Sequence, residues 1–425
     1  MATKKHLPAL LLCAAFLVSC GGGSDTPEPA PAPDPTPAPE PQPEPAALRF
    51  ELLSGRTAAD FSDCPADGFG HLIHMSQGNN GTLYVLDTAA RCTNAAQPRL
   101  LPLTGTPEQE RDFGWVSERA LQLGWRASSA LAGDDGLTVT VVAGVDERWL
   151  ETFRPNAAAV QAISAQDDGW QTAVPGLYNV PVATFGMAYS TLVAGAPGHA
   201  PAVEGATPVL QDGSGREATL HAPHSLVRGA DGDVYFLDGG QVRAATPSYT
   251  PIMHEWGMEY AWNVRTLNIA ASNVIEPFVA LAADAQGNIH ALELVNAGGT
   301  DFVWHRLADG SQQAFSLDNA PDVATFLNSR TIASFAVIDG DMLLAVRRIK
   351  DGNATRLLRV SGRTGHVSEL SGSAPSADAS DFLAHPDQYR LPPVQHVFAS
   401  AAGDVYLVLE QGIVVARGFT WPQPS

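Results

Sequence analysis

The chain has 425 residues and sets 25 Lys and Arg against 45 Asp and Glu, a formal charge of −20 that excludes nucleic acid as an expected partner. Only 16% of residues are charged, while 39 Gly and 32 Pro punctuate short runs of Val, Ala and Thr; this favours an all-β chain of many strands and tight turns over one of long amphipathic helices.

Lys4 and Lys5 precede an apolar run from Leu10 to Val18 that has signal-peptide length and is too short to persist as a membrane-spanning helix. Leu17, Val18, Ser19 and Cys20 stand at its end. This tetrad resembles the lipobox of bacterial lipoproteins, which are cut before the cysteine and acylated on its sulfur. The resemblance implies a signal peptide over 1–19, lipidation of Cys20 and a lipid bilayer as one partner, held through the acyl chains. Gly21, at the position where Asp would mark retention, is similar to the sorting pattern of enteric outer-membrane lipoproteins. The expected location is therefore the cell envelope, at the outer membrane, on its periplasmic or surface face.

From Thr26 to Pro45 the chain alternates Pro with Ala, Glu and other polar residues and has no aromatic or branched apolar side chain with which to build a core. Residues 20–47 thus read as a lipidated tether, polyproline II in character, reaching on the order of 60 Å at about 3.1 Å per residue. Of the four cysteines, Cys13 leaves with the signal and Cys20 is the lipid site. Cys64 and Cys92 are then expected to pair as a disulfide in an oxidising compartment, contributing about 2 to 4 kcal/mol.

Residues 48–425 repeat one unit: an apolar strand, a turn ending in Gly, and a second apolar strand. It is clearest at Gly81 to Asp87, Gly232 to Asp238 and Gly403 to Leu409, each with Tyr after the turn. Further copies begin at Gly287, with His290 in place of Tyr, at Gly340, and at Gly136. The spacings between these glycines are 55, 96, 55, 53 and 63 residues, which accommodates blades of about 40 to 50 residues with insertions. Third and fourth strands are predicted at Val303 to Leu307 and Gln313 to Leu317, and at Leu357 to Val360 and His366 to Leu370. The last unit has a third strand at Ile413 to Ala416 but no fourth, and Leu48 to Leu53 can supply it. The expected fold is a β-propeller of six four-stranded blades, closed by the N-terminal strand on the last blade.

The stretch from Thr191, Leu192, Val193, Ala194 and Gly195 through Asp212, Gly213, Ala218, Pro223, Leu226 and Val227 to Asp231, Gly232, Val234, Tyr235 and Asp238 resembles the NHL-repeat propellers, with their Ala-Gly strand end, glycine-rich loop and Pro before the inner strand. The chain departs from that pattern at Val227 to Gly229, where an Asp would close the inner strand, and at the arginine-bearing ends of the third strands.

Propellers carry function at the mouth of the central channel, expected here where the inner strands begin. His74 and His396 stand seven positions before Gly81 and Gly403, and His224 stands eight before Gly232. Converging imidazoles suit zinc or copper, so these three are the candidate metal ligands. His224 after Pro223 resembles a histidine of the peptidyl-hydroxyglycine lyases, although no matching catalytic Tyr and Arg can be placed. The simpler reading is that these histidines hydrogen-bond backbone groups at the channel rim. Asp212 to Gly215 and Gly78 to Gly81 offer oxygens to calcium, yet turn formation accounts for both. Gly213-Ser214-Gly215 is a glycine-rich connection rather than a nucleophile elbow. Trp115 and Trp125 lead a set of tryptophans in the longer insertions that would stack on sugar rings or peptide side chains, or else cover blade edges. The leading expectation is a binding or scaffold module for an envelope protein, peptide or glycan. The alternative is an envelope lyase or hydrolase with a metal at the channel mouth.

Overall fold

A computed structural model describes residues 48–57, 71–77, 83–87, 99–103, 121–122, 127–132, 138–143, 177–181, 191–194, 210–221, 223–246, 252–254, 257–259, 262–271, 277–295, 300–319, 330–348, 354–372, 374–375 and 380–422. The signal and tether, Cys20, Cys64, Cys92, Trp115, Trp125 and the Gly78 to Gly81 turn lie outside the described residues.

After β1 (Glu51–Gly55), strands β2 (Leu72–Gln77), β3 (Leu83–Asp87), β4 (Arg99–Leu103) and β5 (Leu121–Gln122) form a sheet in chain order. The next sheet is β6 (Ala127–Ala132), β7 (Thr138–Ala143), β8 (Leu177–Pro181) and β9 (Thr191–Ala194). Strands β10 (Gly213–Ser214), β11 (His224–Arg228), β12 (Val234–Asp238) and β13 (Gln241–Thr246) belong to a five-stranded sheet. A separate hairpin of β14 (Ile252–His254) and β15 (Gly257–Glu259) intervenes before β16 (Asn263–Thr266), which lies between β13 and β10. Two regular sheets follow: β17 (Phe278–Ala283), β18 (Ile289–Leu294), β19 (Asp301–Arg306) and β20 (Gln312–Ser316), then β21 (Arg330–Ile338), β22 (Asp341–Arg348), β23 (Thr355–Val360) and β24 (Val367–Glu369). A short helix α1 (Asp381–Ala384) leads to β25 (Val394–Ala399), β26 (Val405–Leu409) and β27 (Gly412–Ala416).

These antiparallel meanders are arranged as a β-propeller, because each sheet packs its face on the next and the last returns to the first. One apolar cluster joins the β17–β20 sheet to β21–β24 through Trp304, Phe315, Phe335 and Leu344. A second joins β21–β23 to the β25–β27 sheet through Leu343, Leu357, Leu407 and Val414. A third packs Leu53, Tyr406, Val408 and Ile413 against Leu72, Met75 and Val85, so the sheet built last in sequence lies on the first. Fully burying each such side chain stabilises the fold by about 1.5–3 kcal/mol.

The N-terminal strand closes that last sheet as the sequence predicts: Glu51 lies opposite Val415 and Gly55 opposite Gly412. Arg417 bonds both Glu51 and Asp404, the Phe50 amide donates to the Leu383 carbonyl of α1, and Trp421 Nε1 donates to the Ile338 carbonyl of β21. Both ends of the domain are thus fixed at one place.

The repeated turn has a backbone cause. Gly232, Gly287, Gly340 and Gly403 have φ of 85°, 76°, 82° and 84°, a left-handed conformation that favours glycine. Gly287 is constrained twice, since a Cβ there would come within 2.8 Å of the Ala230 backbone nitrogen on the neighbouring sheet. Each of the strands β2, β6, β11, β17, β21 and β25 also carries a register shift against its partner, as between Leu72 and His74 or between Val394 and His396. Such bulges bend the strand and take a backbone group out of the ladder.

Candidate functional site

The first strands of the sheets face a common channel, and its two ends differ. At the leading end, where these strands begin, buried carboxylates hold the chain as it enters two of the sheets. Asp87 accepts the His71 amide at 2.7 Å, and Asp238 accepts the His221 amide at 2.8 Å. Arg243, completely buried, donates to Asp238 at 2.8 Å and to the carbonyls of Thr219 and Gln211 at 2.6 and 2.8 Å. It also reaches Asp212 at 3.2 Å, whose pKa lies below the ordinary carboxylate value: burial opposes this, but hydrogen bonds from Thr266 and the Arg243 charge outweigh it. Arg243 stands near the middle of β13, five residues after Asp238, where a short turn returns the strand to its partner. In the β17–β20 sheet a buried His305–Glu293 contact of 2.5 Å joins the second and third strands.

A cavity of about 440 Å³ lies along the later halves of the inner strands and their turns, not where those strands begin. The cavity is lined from β2, β6, β11, β17, β21 and β25, with His74, Ser76, Gln77 and His396 on one side and Leu131, Leu226, Leu281 and Phe335 among the apolar contributors.

His74 and His396 meet here, their ring centroids 4.4 Å apart. His396 Nδ1 accepts the Met75 amide at 3.3 Å, so a histidine of the last sheet clamps an inner-strand amide of the first. Burial, and then the neighbouring His74, push its pKa well below the ordinary histidine value; the imidazole is neutral, with Nε2 carrying the proton. Ser129 does the same work at another junction, its Oγ accepting the Leu226 amide at 3.1 Å. Ser129 and His396 each stand seven residues before their turn glycine, so in these two sheets the position serves as an inter-sheet clamp.

His224 does not line the cavity that His74 and His396 share. It pairs with Leu237 at the start of β11, ahead of the bulge, while Leu226 takes the cavity wall. The three predicted metal ligands are therefore not brought together, and among the described residues no group of three or more His, Cys, Asp or Glu is placed to hold a metal ion.

Two charged residues at the cavity are already engaged. Asp284 accepts the amides of Gln286 and Asn288 through Oδ1 and the Asn288 amide group through Oδ2, with His290 Nε2 at 3.3 Å. Burial works against ionisation here, but these hydrogen bonds hold its pKa below the usual carboxylate value. His290 Nδ1 accepts Trp304 Nε1–H at 3.1 Å, which assigns the Nε2 proton to the bond with Asp284. Arg228 likewise has an interaction of its own. On the outer rim, Tyr235 donates to Asp231 at 2.7 Å, and burial followed by that carboxylate pushes its hydroxyl pKa up to about 12.

Sequence reasoning found the two histidines but not Ser76. The signal was strand period: Ser76 is two residues beyond His74 and shares its face of β2.

No family model matches the chain, and no curated protein matches it. Among solved structures it is similar to a Bacteroides thetaiotaomicron protein of unknown function, 12% identical over 87% of this chain and 75% of the other, with a TM-score of 0.44. Streptogramin B lyase is 8% identical over 87% and 97% of the two chains, with a TM-score of 0.35. The WD40 repeats of RRP9 are 7% identical over 88% and 99%, with a TM-score of 0.38. The fold assignment rests on strand order and sheet packing. Among the described residues no helix is long and apolar enough to cross a membrane.

Proposed function

We propose that this chain is a lipoprotein of the bacterial cell envelope, anchored through acylated Cys20 at the outer membrane, whose six-bladed propeller binds a peptide, glycan or protein partner. The observation that carries the binding reading is the cavity shared by the first strands of six sheets, with its histidines and acidic group committed to framework hydrogen bonds. A pocket with a preformed, partly apolar wall and few polar groups suits recognition of one side chain or one sugar unit of a larger partner. The lipobox and the proline-rich segment supply attachment and reach, and a Cys64–Cys92 bridge would staple the first blade.

The second reading, a lyase or hydrolase using zinc, copper or calcium, keeps one supporting observation: the 4.4 Å approach of the His74 and His396 rings. Elemental analysis of the full chain beside His74→Ala and His396→Ala separates the two. One equivalent of metal, lost in both variants, would favour the enzyme reading and direct substrate screening at metal-dependent lyases and hydrolases; metal-free protein that captures a crosslinked envelope partner supports binding. Replacing Cys20 with Ala is expected to move the chain from the membrane fraction to the soluble fraction and to abolish labelling by palmitate.

A further inference from the structure

The described residues hold Asp-Gly pairs at Asp212, Asp231, Asp238, Asp309 and Asp339, and one of these is unlike the rest. Asp212 accepts the Thr266 amide and hydroxyl, and Asp238 is fully buried between the His221 amide and Arg243. Asp231 accepts the Asp233 amide and the Tyr235 hydroxyl, while the Gly232 amide donates to the Gly229 carbonyl. Asp309 accepts the Ser311 amide, while the Gly310 amide donates to the Arg306 carbonyl. At Asp339-Gly340 neither group is engaged: among the described residues the carboxylate has no hydrogen bond or ion pair, and the glycine amide donates to nothing. Asp339 is exposed, and the space where a Gly340 Cβ would stand is open. Ile338 pairs with Asp341, so these residues are the two-residue loop of the β21–β22 hairpin. Their φ values of 50° and 82° are both left-handed, which such a loop requires and which an aspartate adopts at a cost.

We propose that Asp339 is a site of spontaneous covalent modification, converting to isoaspartate through a succinimide ahead of the other described Asp-Gly pairs. The Gly340 nitrogen attacks the side-chain carboxyl carbon of Asp339, the amide proton and the carboxyl hydroxyl leave as water, and the imide ring closes. Water then adds back, and cleavage between the Gly340 nitrogen and the original Asp339 carbonyl carbon leaves the chain running through the side chain. One water leaves and one returns, so no co-reactant is needed. At the other four pairs the carboxylate, the amide or both must first give up a hydrogen bond. The product has a longer backbone in a loop with no residue to spare. Both flanks of that loop are tied: Asp341 holds the Gly362 amide and Arg359, and the Ile338 carbonyl accepts Trp421 Nε1–H. The lesion therefore breaks the Ile338–Asp341 register and loosens β21, whose Phe335 and Ala336 line the cavity.

The test ages the folded full chain in mildly acidic buffer and maps its peptides by mass spectrometry, reading the succinimide as the loss of one water and isoaspartate by isoaspartyl methyltransferase labelling. Isoaspartate is expected at Asp339 at least about fivefold faster than at Asp212, Asp231, Asp238 or Asp309. Ageing in urea, which frees every pair, is expected to bring the five rates within about twofold of one another. Asp339→Gly keeps the left-handed turn and removes the carboxyl, so the aged variant is expected to hold its urea midpoint while the aged parent chain loses some of its own. An Asp339 rate in the folded chain no faster than at the other pairs, or a rate ranking unchanged by urea, overturns the assignment. An aged parent chain that carries isoaspartate at Asp339 with an unchanged urea midpoint overturns the predicted loosening of β21.

Discussion

At the leading end of the channel, Asp87 and Asp238 are fully buried, each accepts a backbone amide, and Arg243 draws Asp238 together with two carbonyls from the preceding loop. At the trailing end the inner strands open onto a cavity lined by His74, His396 and apolar residues of the neighbouring strands. Charge is abundant where the fold must be fixed and is neutralised or engaged where a ligand has room. In this propeller, the buried Arg243–Asp238 pair therefore marks architecture.

The largest effect that would break this contrast is at the leading end. Arg243→Met removes the cation and leaves Asp238 and two carbonyls buried without their donor, and the expected loss is about 3–5 kcal/mol in urea unfolding. A loss below about 1 kcal/mol would mean that this arginine is not the architectural centre described. Next is the clamp at the trailing end: His396→Ala strips the Met75 amide of its acceptor and leaves a hole between the last and first sheets, with an expected cost of about 2–3 kcal/mol, whereas His396→Ser, which copies Ser129, is expected to recover part of it.

Protonation sharpens the comparison further. The folded-state pKa values of His396 and His290 are both depressed, chiefly by burial. Below the unfolded value of about 6.5 the unfolded chain binds the proton more readily, so stability is intact above that pH and falls as the pH falls below it. Each histidine is expected to contribute a slope of at most about 1.4 kcal/mol per pH unit, and His396→Ser should reduce the slope measured from pH 7 to 5. The smallest effect has the opposite sign: Ser76→Ala is expected to stabilise the ligand-free chain by up to about 1 kcal/mol.

Much of this architecture is legible in the sequence because its signals are local. A turn glycine followed by a short apolar run predicts β3, β12, β18, β22 and β26, and even the irregular Gly136 to Val142 segment corresponds to β7. The missing fourth strand of the last unit and the spare apolar segment at Leu48 to Leu53 predict the β1–β27 pairing. The insertion of β14 and β15 ahead of β16, and the small edge strand β10, were not legible, since β10 and β16 are 48 residues apart and too short to carry a periodic pattern. The Arg243 network was not legible either, because Arg243 reaches Gln211 and Thr219 across 32 and 24 residues. His224 shows the limit of counting from a glycine: a bulge after it, rather than before it as with His74, places Leu226 at the wall instead.

The pairing of Glu51 with Val415 has a consequence for how the molecule is made. A strand synthesised near the beginning must remain without its partner until almost the whole domain has emerged, and bringing such distant segments together carries a loop-closure cost that slows folding. Nascent chains cut short before Gly412 would have the β1 edge exposed and the final sheet incomplete, an invitation to pair with another copy. Completion of the ring thus waits on β27: until it pairs with β1, no intermediate has a complete ring to hide its edges.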